Sequence, residues 1–190
     1  MSALKKHQNN KEIPGDLSKE EKLERMIRVN HAGEYGAKRI YEGQLAILKN
    51  SPSYETIKHM KEQELEHLEY FEGQIKQRKV RPTAMHPIWH AAGFALGAGT
   101  ALLGEKAAMA CTVAVEEVID EHYQEQIEEL EANNPEEKEL VEKIKKFRED
   151  ELEHRATGLE NHAEQAIAYP ILTGAIKTAS KAAIWLAQRV

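Results

Sequence analysis

Four stretches of this chain repeat apolar residues at helical spacing, and each puts a glutamate in the middle of its apolar stripe. At roughly 100° per residue, Ile57, Met60, His67, Leu68, Phe71 and Ile75 all fall within about 60° of Glu64. Glu62, Glu66, Glu69 and Glu72 point to other faces, where hydrated acids belong. Leu140, Ile144, Phe147, His154 and Gly158 share the face of Glu151, while Glu149 and Glu153 do not. Glu34 shares its face with Leu23, Ile27, Tyr41, Leu45 and Leu48. Glu116 does so with Met109, Thr112, Val113, Ile119, Tyr123 and Ile127. The tetrapeptide ELEH occurs twice, starting at Glu64 and at Glu151, and each copy follows one of the lone glutamates, Glu34 or Glu116. The chain thus reads as two helical hairpins making one bundle.

A single striped acid can be a boundary residue that reaches water. Four in one core cannot all escape in this way. An uncompensated buried carboxylate costs several kcal/mol or takes up a proton, and a whole domain is stable by only about 5–15 kcal/mol. Two divalent cations would balance four carboxylates, with neutral imidazoles completing the coordination. Residues three apart lie on one helix face, so the Glu and His of a Glu-x-x-His can reach one metal pair. A Glu from each of two helices and a Glu-x-x-His from each of two others is the arrangement of ferritin-like di-iron and di-manganese carboxylate bundles. One Glu-x-x-His carries no weight, but six such residues in order on four stripes do. The candidate metal ligands are Glu34, Glu64, His67, Glu116, Glu151 and His154. Oxygen-rich ligation with two imidazoles favours iron or manganese over zinc. Two ferrous ions can together deliver two electrons to dioxygen.

No stretch alternates in the manner of a strand, so the fold class is all-α. Residues 1–17 read as a polar tail ending in Pro14-Gly15, and 18–190 as one domain. Ser18 with Glu21 forms a capping box that opens a helix reaching about Lys49. Pro52 is placed to open a second helix, to about Lys79. After the linker "RKVRPTAMHP", one long helical region runs to about Glu131. Asn134 then caps a fourth helix with Pro135 at its first position, ending near residues 163–168, and Tyr169-Pro170 opens a fifth.

Lys and Arg total 26 against 32 Asp and Glu, a net charge of -6 that argues against a general nucleic-acid binder. The single cysteine, Cys111, excludes an internal disulfide, suits a reducing compartment and packs as a small apolar residue. The N-terminus lacks the apolar core of a signal peptide and is too acidic for a transit peptide, so a cytosolic or mature protein is expected. A mean hydropathy of -0.62 excludes a polytopic membrane protein.

Tyr41 and Tyr123 lie two turns from Glu34 and Glu116 on the metal-facing stripes. A core tyrosine with a satisfied hydroxyl is the plainer reading of each, and Tyr123 is also a catalytic candidate. Asn30, His31 and Asp120 are candidates to orient the ligand histidines. His162 reads as a helix-end residue, and His7, His59, His86, His90 and His122 show no arrangement that suggests ligation. The stretch "GFALGAGTALLG" follows no strand and lacks G-x-G-x-x-G spacing, so it is no nucleotide loop. Gly93, Gly97 and Gly99 instead suit close helix packing or bending. Residues 88–104 are apolar apart from His90, over a length marginal for spanning a bilayer. The last helix sets Lys177 and Lys181 beside an apolar face with Ile184 and Trp185. Both segments fit an interfacial role with cations against anionic lipid, the alternative being an oligomer interface or ordinary core.

The runs "RVNHAGEYGAKRIYEGQ", "RPTAMHPIWHAAGFALGAGTALLGEKAAMACTVAVEE" and "KKFREDELEH" resemble the demethoxyubiquinone hydroxylase family, over about residues 22–190. The resemblance implies a ferritin-like four-helix bundle with two iron ions, a C-terminal amphipathic helix and an apolar interfacial segment. The implied reaction is hydroxylation of the demethoxyubiquinol ring by dioxygen, the penultimate step of ubiquinone synthesis. Carried over by motif, Glu34 and His67 would serve the first iron, Glu116 and His154 the second, and Glu64 and Glu151 would bridge both. Asn30 departs from the family's usual Asp in "VDHAGEYGA". Also implied are a prenylated quinol substrate entering from the membrane and a nicotinamide reductant such as NADH, for which no motif is visible. The location would be peripheral, on the cytoplasmic or matrix face of the cell or inner membrane, with a homo-oligomer or a quinone-biosynthesis complex as partners. The rivals are a ferroxidase or iron-storage protein on the same bundle, and a non-enzymatic lipid carrier or scaffold.

Overall fold

The computed structural model describes residues 16–190. Most of the expected polar tail, 1–15, therefore lies outside the described residues, and so does His7. The described chain is all-α: α1 (Lys19–Ile47), α2 (Tyr54–Arg78), α3 (His86–Leu102), α4 (Glu105–Asn133), α5 (Lys138–Glu160) and α6 (Tyr169–Ala187), with one short 3-10 turn at Ala163–Gln165.

Helix α1 opens on the capping box. The Ser18 hydroxyl accepts from the Glu21 N–H at 3.2 Å, and the Glu21 carboxylate accepts from the Ser18 N–H at 2.8 Å. Pro52 falls in the turn before α2, whose N-cap is Ser53. The single long helix expected after the linker is two helices, α3 and α4. They part at Gly104, whose φ of 111° lies where a side chain would be strained. The apolar run stops there, at the charged pair Glu105-Lys106. The break lets α4 enter the bundle while α3 lies outside, against α1. Asn134 closes α4 instead of opening α5, because Leu130 is a core residue that keeps the last turn of α4 packed. Arg78 donates to both carboxylate oxygens of Glu137 at 2.8 and 2.6 Å, pinning the start of α5 to the end of α2. Pro170 sits in the first turn of α6, as the sequence suggests, and His162 ends a helical stretch at φ 63°.

The bundle is built from the hairpins α1–α2 and α4–α5. Lys19 Nζ donates to the Asn133 carbonyl at 2.7 Å, so α1 and α4 run antiparallel. Helix α3 packs on α1 and α6 on α4, giving each half of the chain the same three-helix plan. Ile57, Met60, Phe71, Met109, Ile144 and the two tyrosines, Tyr41 and Tyr123, are fully buried between the hairpins. Each large side chain of this kind contributes roughly 1.5–3 kcal/mol.

The outer helices are attached differently. Where α3 crosses α1, a Cβ on Gly97 would stand 1.9 Å from the Ile40 carbonyl oxygen, and one on Gly43 would stand 2.3 Å from that of Phe94. Only glycine lets the two backbones touch there. Gly99 has open space around it, so packing does not account for it. Lys177 and Lys181 of α6, expected beside anionic lipid, also have acids within the chain. They pair with Glu117 and Glu121 of α4, the second pair at 2.8 Å. Ile184 turns inward beside Val29, Ala32 and Ala187, while Trp185 remains exposed.

Candidate metal centre

The four striped glutamates meet in the middle of the bundle. Glu34, Glu64, Glu116 and Glu151 are each at most 2% exposed, and His67 and His154 are 1% exposed. They form two overlapping groups, Glu34–Glu64–His67–Glu151 and Glu64–Glu116–Glu151–His154, in each of which one ligand atom per residue lies within 4.8 Å of all the others. Glu64 and Glu151 belong to both groups.

The halves reach across to each other. The Tyr123 hydroxyl, on α4, donates to Glu34 Oε1, on α1. The Tyr41 hydroxyl, on α1, donates to Glu116 Oε1, on α4, at 2.8 Å. Each tyrosine thus satisfies its hydroxyl and fixes one oxygen of the opposite glutamate. Burial and the neighbouring carboxylates push both phenols well up, so both stay protonated donors.

The histidines are oriented by residues the sequence did not reveal. His67 turns Nδ1 toward Glu151 Oε1 at 3.2 Å and Glu34 Oε2 at 3.6 Å, and its Nε2 meets Asp150 Oδ2 at 3.0 Å. His154 turns Nδ1 toward Glu151 Oε2 at 3.1 Å and Glu64 Oε1 at 3.4 Å, and its Nε2 meets Gln63 Oε1 at 3.1 Å. Carboxylate and amide oxygens only accept, so each ring donates from Nε2 to its outer partner while Nδ1 faces the carboxylates of the centre. Gln63 and Asp150 each stand immediately before an ELEH copy, and each holds the histidine of the other copy. A polar residue four places before each histidine was the available signal.

The three residues expected in that role stand elsewhere. Asp120 accepts from Arg148 Nε at 2.5 Å. His31 lies against the His86 ring, with centroids 6.0 Å apart. Asn30 exchanges two hydrogen bonds with Gln126, at 2.8 and 2.7 Å, in a buried amide pair. Gln126 also donates to His122 Nε2 at 2.6 Å, and burial holds His122 down at about 4, hence neutral. His122 therefore does belong to a polar cluster, beside Tyr123. Cys111 is buried, and burial pushes its thiol up to about 12, as suits a packing residue.

The charges of the centre resolve by proton uptake in the protein alone. Burial first, and then the surrounding carboxylates, push Glu64 and Glu116 well above the usual range. Burial would raise Glu151 too, but the His154 and His67 imidazoles beside it win and hold it at about 2. Burial works against a charge on His67, yet its contacts with Glu151 and Glu34 lift it to about 12.

Several buried polar atoms here have no hydrogen-bond partner: Glu34 Oε2, both oxygens of Glu64, Glu116 Oε2, Glu151 Oε1 and His67 Nδ1. Such atoms are rare in folded proteins because each forfeits its hydration. All six belong to the two overlapping groups, and five are carboxylate oxygens. The donor set fits a pair of divalent cations, each taking one histidine, one unshared glutamate and the two shared ones.

A helical bundle with a buried carboxylate–imidazole centre able to carry two metal ions is the class that fold and site define. Comparison with known proteins narrows it. The family model described as "Ubiquinone biosynthesis protein COQ7" matches residues 21–187, and the chain belongs to this family. It is 52% identical over 179 residues to the 3-demethoxyubiquinol 3-hydroxylase of Rhodospirillum rubrum, covering 94% of this chain and 83% of that one. It is 52% identical over 171 residues to the mitochondrial NADPH-dependent 3-demethoxyubiquinone 3-hydroxylase of Bos taurus, covering 90% and 79%. With the mitochondrial 5-demethoxyubiquinone hydroxylase of Saccharomyces cerevisiae it shares 42% over 183 residues, covering 88% and 78%.

Proposed function

We propose that this protein hydroxylates the ring of demethoxyubiquinol with dioxygen at a two-iron centre, the penultimate step of ubiquinone biosynthesis. Its relatives are named for that hydroxylation. The observation that carries the reading is an apolar cleft of about 200 Å³ enclosed by α1, α3, α4 and α6. Ala37, Ile40, Val115 and Ile119 line it from α1 and α4, Leu96 from α3 and Ala183 from α6. None of the six candidate ligands lines it, but Gly33 and Gly36 of its lining share a helix turn with Glu34, and Val115 and Val118 one with Glu116. Helices α3 and α6 do not pack on each other, which leaves the cleft to open between them.

Helices α3 and α6 and the residues at their ends carry Ile88, Leu102, Leu103, Ile167, Ile171 and Trp185, all more than half exposed. No helix among the described residues is long and apolar enough to cross a membrane. A peripheral seat, with α3 and α6 against the bilayer, would let a prenyl-tailed quinol pass from lipid into the cleft without crossing water.

Glu34 and His67 would hold one iron, Glu116 and His154 the other, with Glu64 and Glu151 shared between them. Two ferrous ions bound there supply the electrons and open coordination positions with which dioxygen is activated. Tyr123 and Tyr41 hold Glu34 and Glu116 by one oxygen each and leave the second oxygen to face the centre. Asp150 and Gln63 keep the imidazole Nδ1 atoms turned inward. The cleft keeps water from the quinol ring as it meets the oxidant. One oxygen atom enters a ring C–H to give C–OH, and the other leaves as water. That balance takes two electrons from a reductant, and a nicotinamide, direct or through the quinone, is the donor this reading assigns.

A ferroxidase or iron-storage protein would admit ions by a polar route, whereas this cleft is apolar. A lipid carrier would leave four buried carboxylates without a task. Single turnover of the iron-loaded protein with demethoxyubiquinol and isotopically labelled dioxygen tests the assignment. One labelled oxygen on the ring, seen by mass spectrometry, is expected. Iron oxidation with an unlabelled quinone would overturn it.

A further inference from the structure

The two halves of the centre share one plan. Each has a lone glutamate held by a tyrosine from the other half, a shared glutamate and a histidine whose Nδ1 faces inward. They differ in what meets the outer nitrogen: Asp150 at 3.0 Å from His67 Nε2, and Gln63 at 3.1 Å from His154 Nε2. A carboxylate draws the N–H proton harder than an amide oxygen does, which makes the ring the stronger donor at Nδ1. It also places a formal negative charge one imidazole away from the centre. Among the described residues no lysine or arginine pairs with Asp150, since Arg148 and Arg155 on the same helix are taken by Asp120 and Glu117.

We infer that Asp150 and Gln63 make the two metal positions unequal, the one served by His67 binding a divalent cation first and more tightly, the one served by His154 second and more weakly. A half-loaded protein then carries its metal beside His67 and lacks the second ion needed for two-electron chemistry. Asp150 and Gln63 are positioning residues, acting on the ion through the imidazole between. The inference rests on the metal-centre reading, and its test separates the two.

The test is an anaerobic titration of the chelator-stripped full chain with Mn²⁺ and with Co²⁺, followed by calorimetry and by Co²⁺ absorption. Two resolved steps are expected. Asp150→Asn keeps an accepting oxygen and the side-chain shape but removes the charge. It should weaken the first step by about 10–100-fold and leave the second within a few-fold. Gln63→Glu should tighten the second step and leave the first, and it carries the test alone should Asp150→Asn fail to fold. Two equal steps in the unsubstituted chain, or Asp150→Asn acting on the second step, overturn this inference and leave the metal centre standing. No binding of either ion overturns the metal centre as well.

Discussion

The two halves of the molecule, α1 to α3 and α4 to α6, place the same residues at the centre yet fasten their third helices by different physics. Helix α3 is held to α1 by backbone contact across Gly43, Gly93 and Gly97. Helix α6 is held to α4 by Ile176 in the core and by two lysine–glutamate pairs at the surface. Backbone contact is lost within a fraction of an ångström, whereas a partly exposed ion pair tolerates displacement and exchange with water. One wall of the cleft is therefore intolerant of substitution and the other forgiving, around a centre to which both halves bring the same ligand types.

The likeness at the centre is tested by the largest effects. Glu64→Ala and Glu151→Ala each remove a residue common to both groups, so each should lose both metals. Activity should fall by more than about 100-fold, since even substituting a partner of a ligand costs 10–100-fold. Glu34→Ala and Glu116→Ala should each lose one metal per chain, measured by elemental analysis. If Glu64→Ala loses only one, Glu64 is not shared and the two groups are independent.

The difference between the walls is tested next. Gly97→Ala forces a methyl into the Ile40 carbonyl and should destabilise the chain by about 1–3 kcal/mol, or more. Gly99→Ala, on the same helix but in open space, should stabilise it by up to about 1 kcal/mol through helix propensity. Denaturant midpoints of the two variants measure the contrast. Equal midpoints would mean that α3 is not held by backbone contact.

Much of the centre was legible because helical periodicity places a residue on its face without knowledge of any neighbour. Glu34, Glu64, His67, Glu116, Glu151 and His154 needed only the period of one helix and the cost of burying charge. Gln63 and Asp150 needed the register between α2 and α5, which no single helix encodes. The acid partners of the α6 lysines were not legible for a related reason. Lys177 and Lys181 are one turn apart, but so are Glu117 and Glu121, and an amphipathic helix shows the same stripe whether its cations meet lipid or acids. The break at Gly104 was signalled by a glycine among other glycines and by the charged Glu105-Lys106 after it, a pattern that a continuous helix also tolerates.

Electrostatics at the centre give a smaller, graded effect. Glu64 and Glu116 are raised above their unfolded values, so in the metal-free chain folding takes up protons. Their contribution is fullest below the ordinary carboxylate range and is lost as pH rises. His67, lifted to about 12, has the same sign, its contribution present below the ordinary imidazole value and lost as pH climbs toward 12. Glu151, at about 2, has the opposite sign and loses its contribution only as pH falls toward that value. From about pH 5 to about pH 8 the metal-free melting temperature should therefore fall, while metal binding, which needs these groups deprotonated, should tighten. The rise in melting temperature on adding metal should widen with pH over that window. A rise that stays constant would mean that the carboxylates bind metal without releasing protons.

The smallest effect belongs to the forgiving wall. Lys177 is 38% exposed and its partner Glu117 is 25% exposed, so their pair should contribute at most about 1 kcal/mol, and less in salt. Glu117 also accepts from Arg155 Nε at 3.0 Å, which ties α4 to α5 as well as to α6. Lys177→Ala should thus lower the denaturation midpoint slightly at low ionic strength and hardly at all in high salt. Glu117→Gln should cost more, because two cations lose their acid. Lys181→Ala, at a more exposed pair, should fall below Lys177→Ala. Quinol turnover should survive all three if α6 is held mainly by its buried face, Thr173, Ile176 and Ala187. If Lys177→Ala abolishes turnover while the metals remain bound, the ion pairs hold the cleft in shape, and α6 is as exacting a wall as α3.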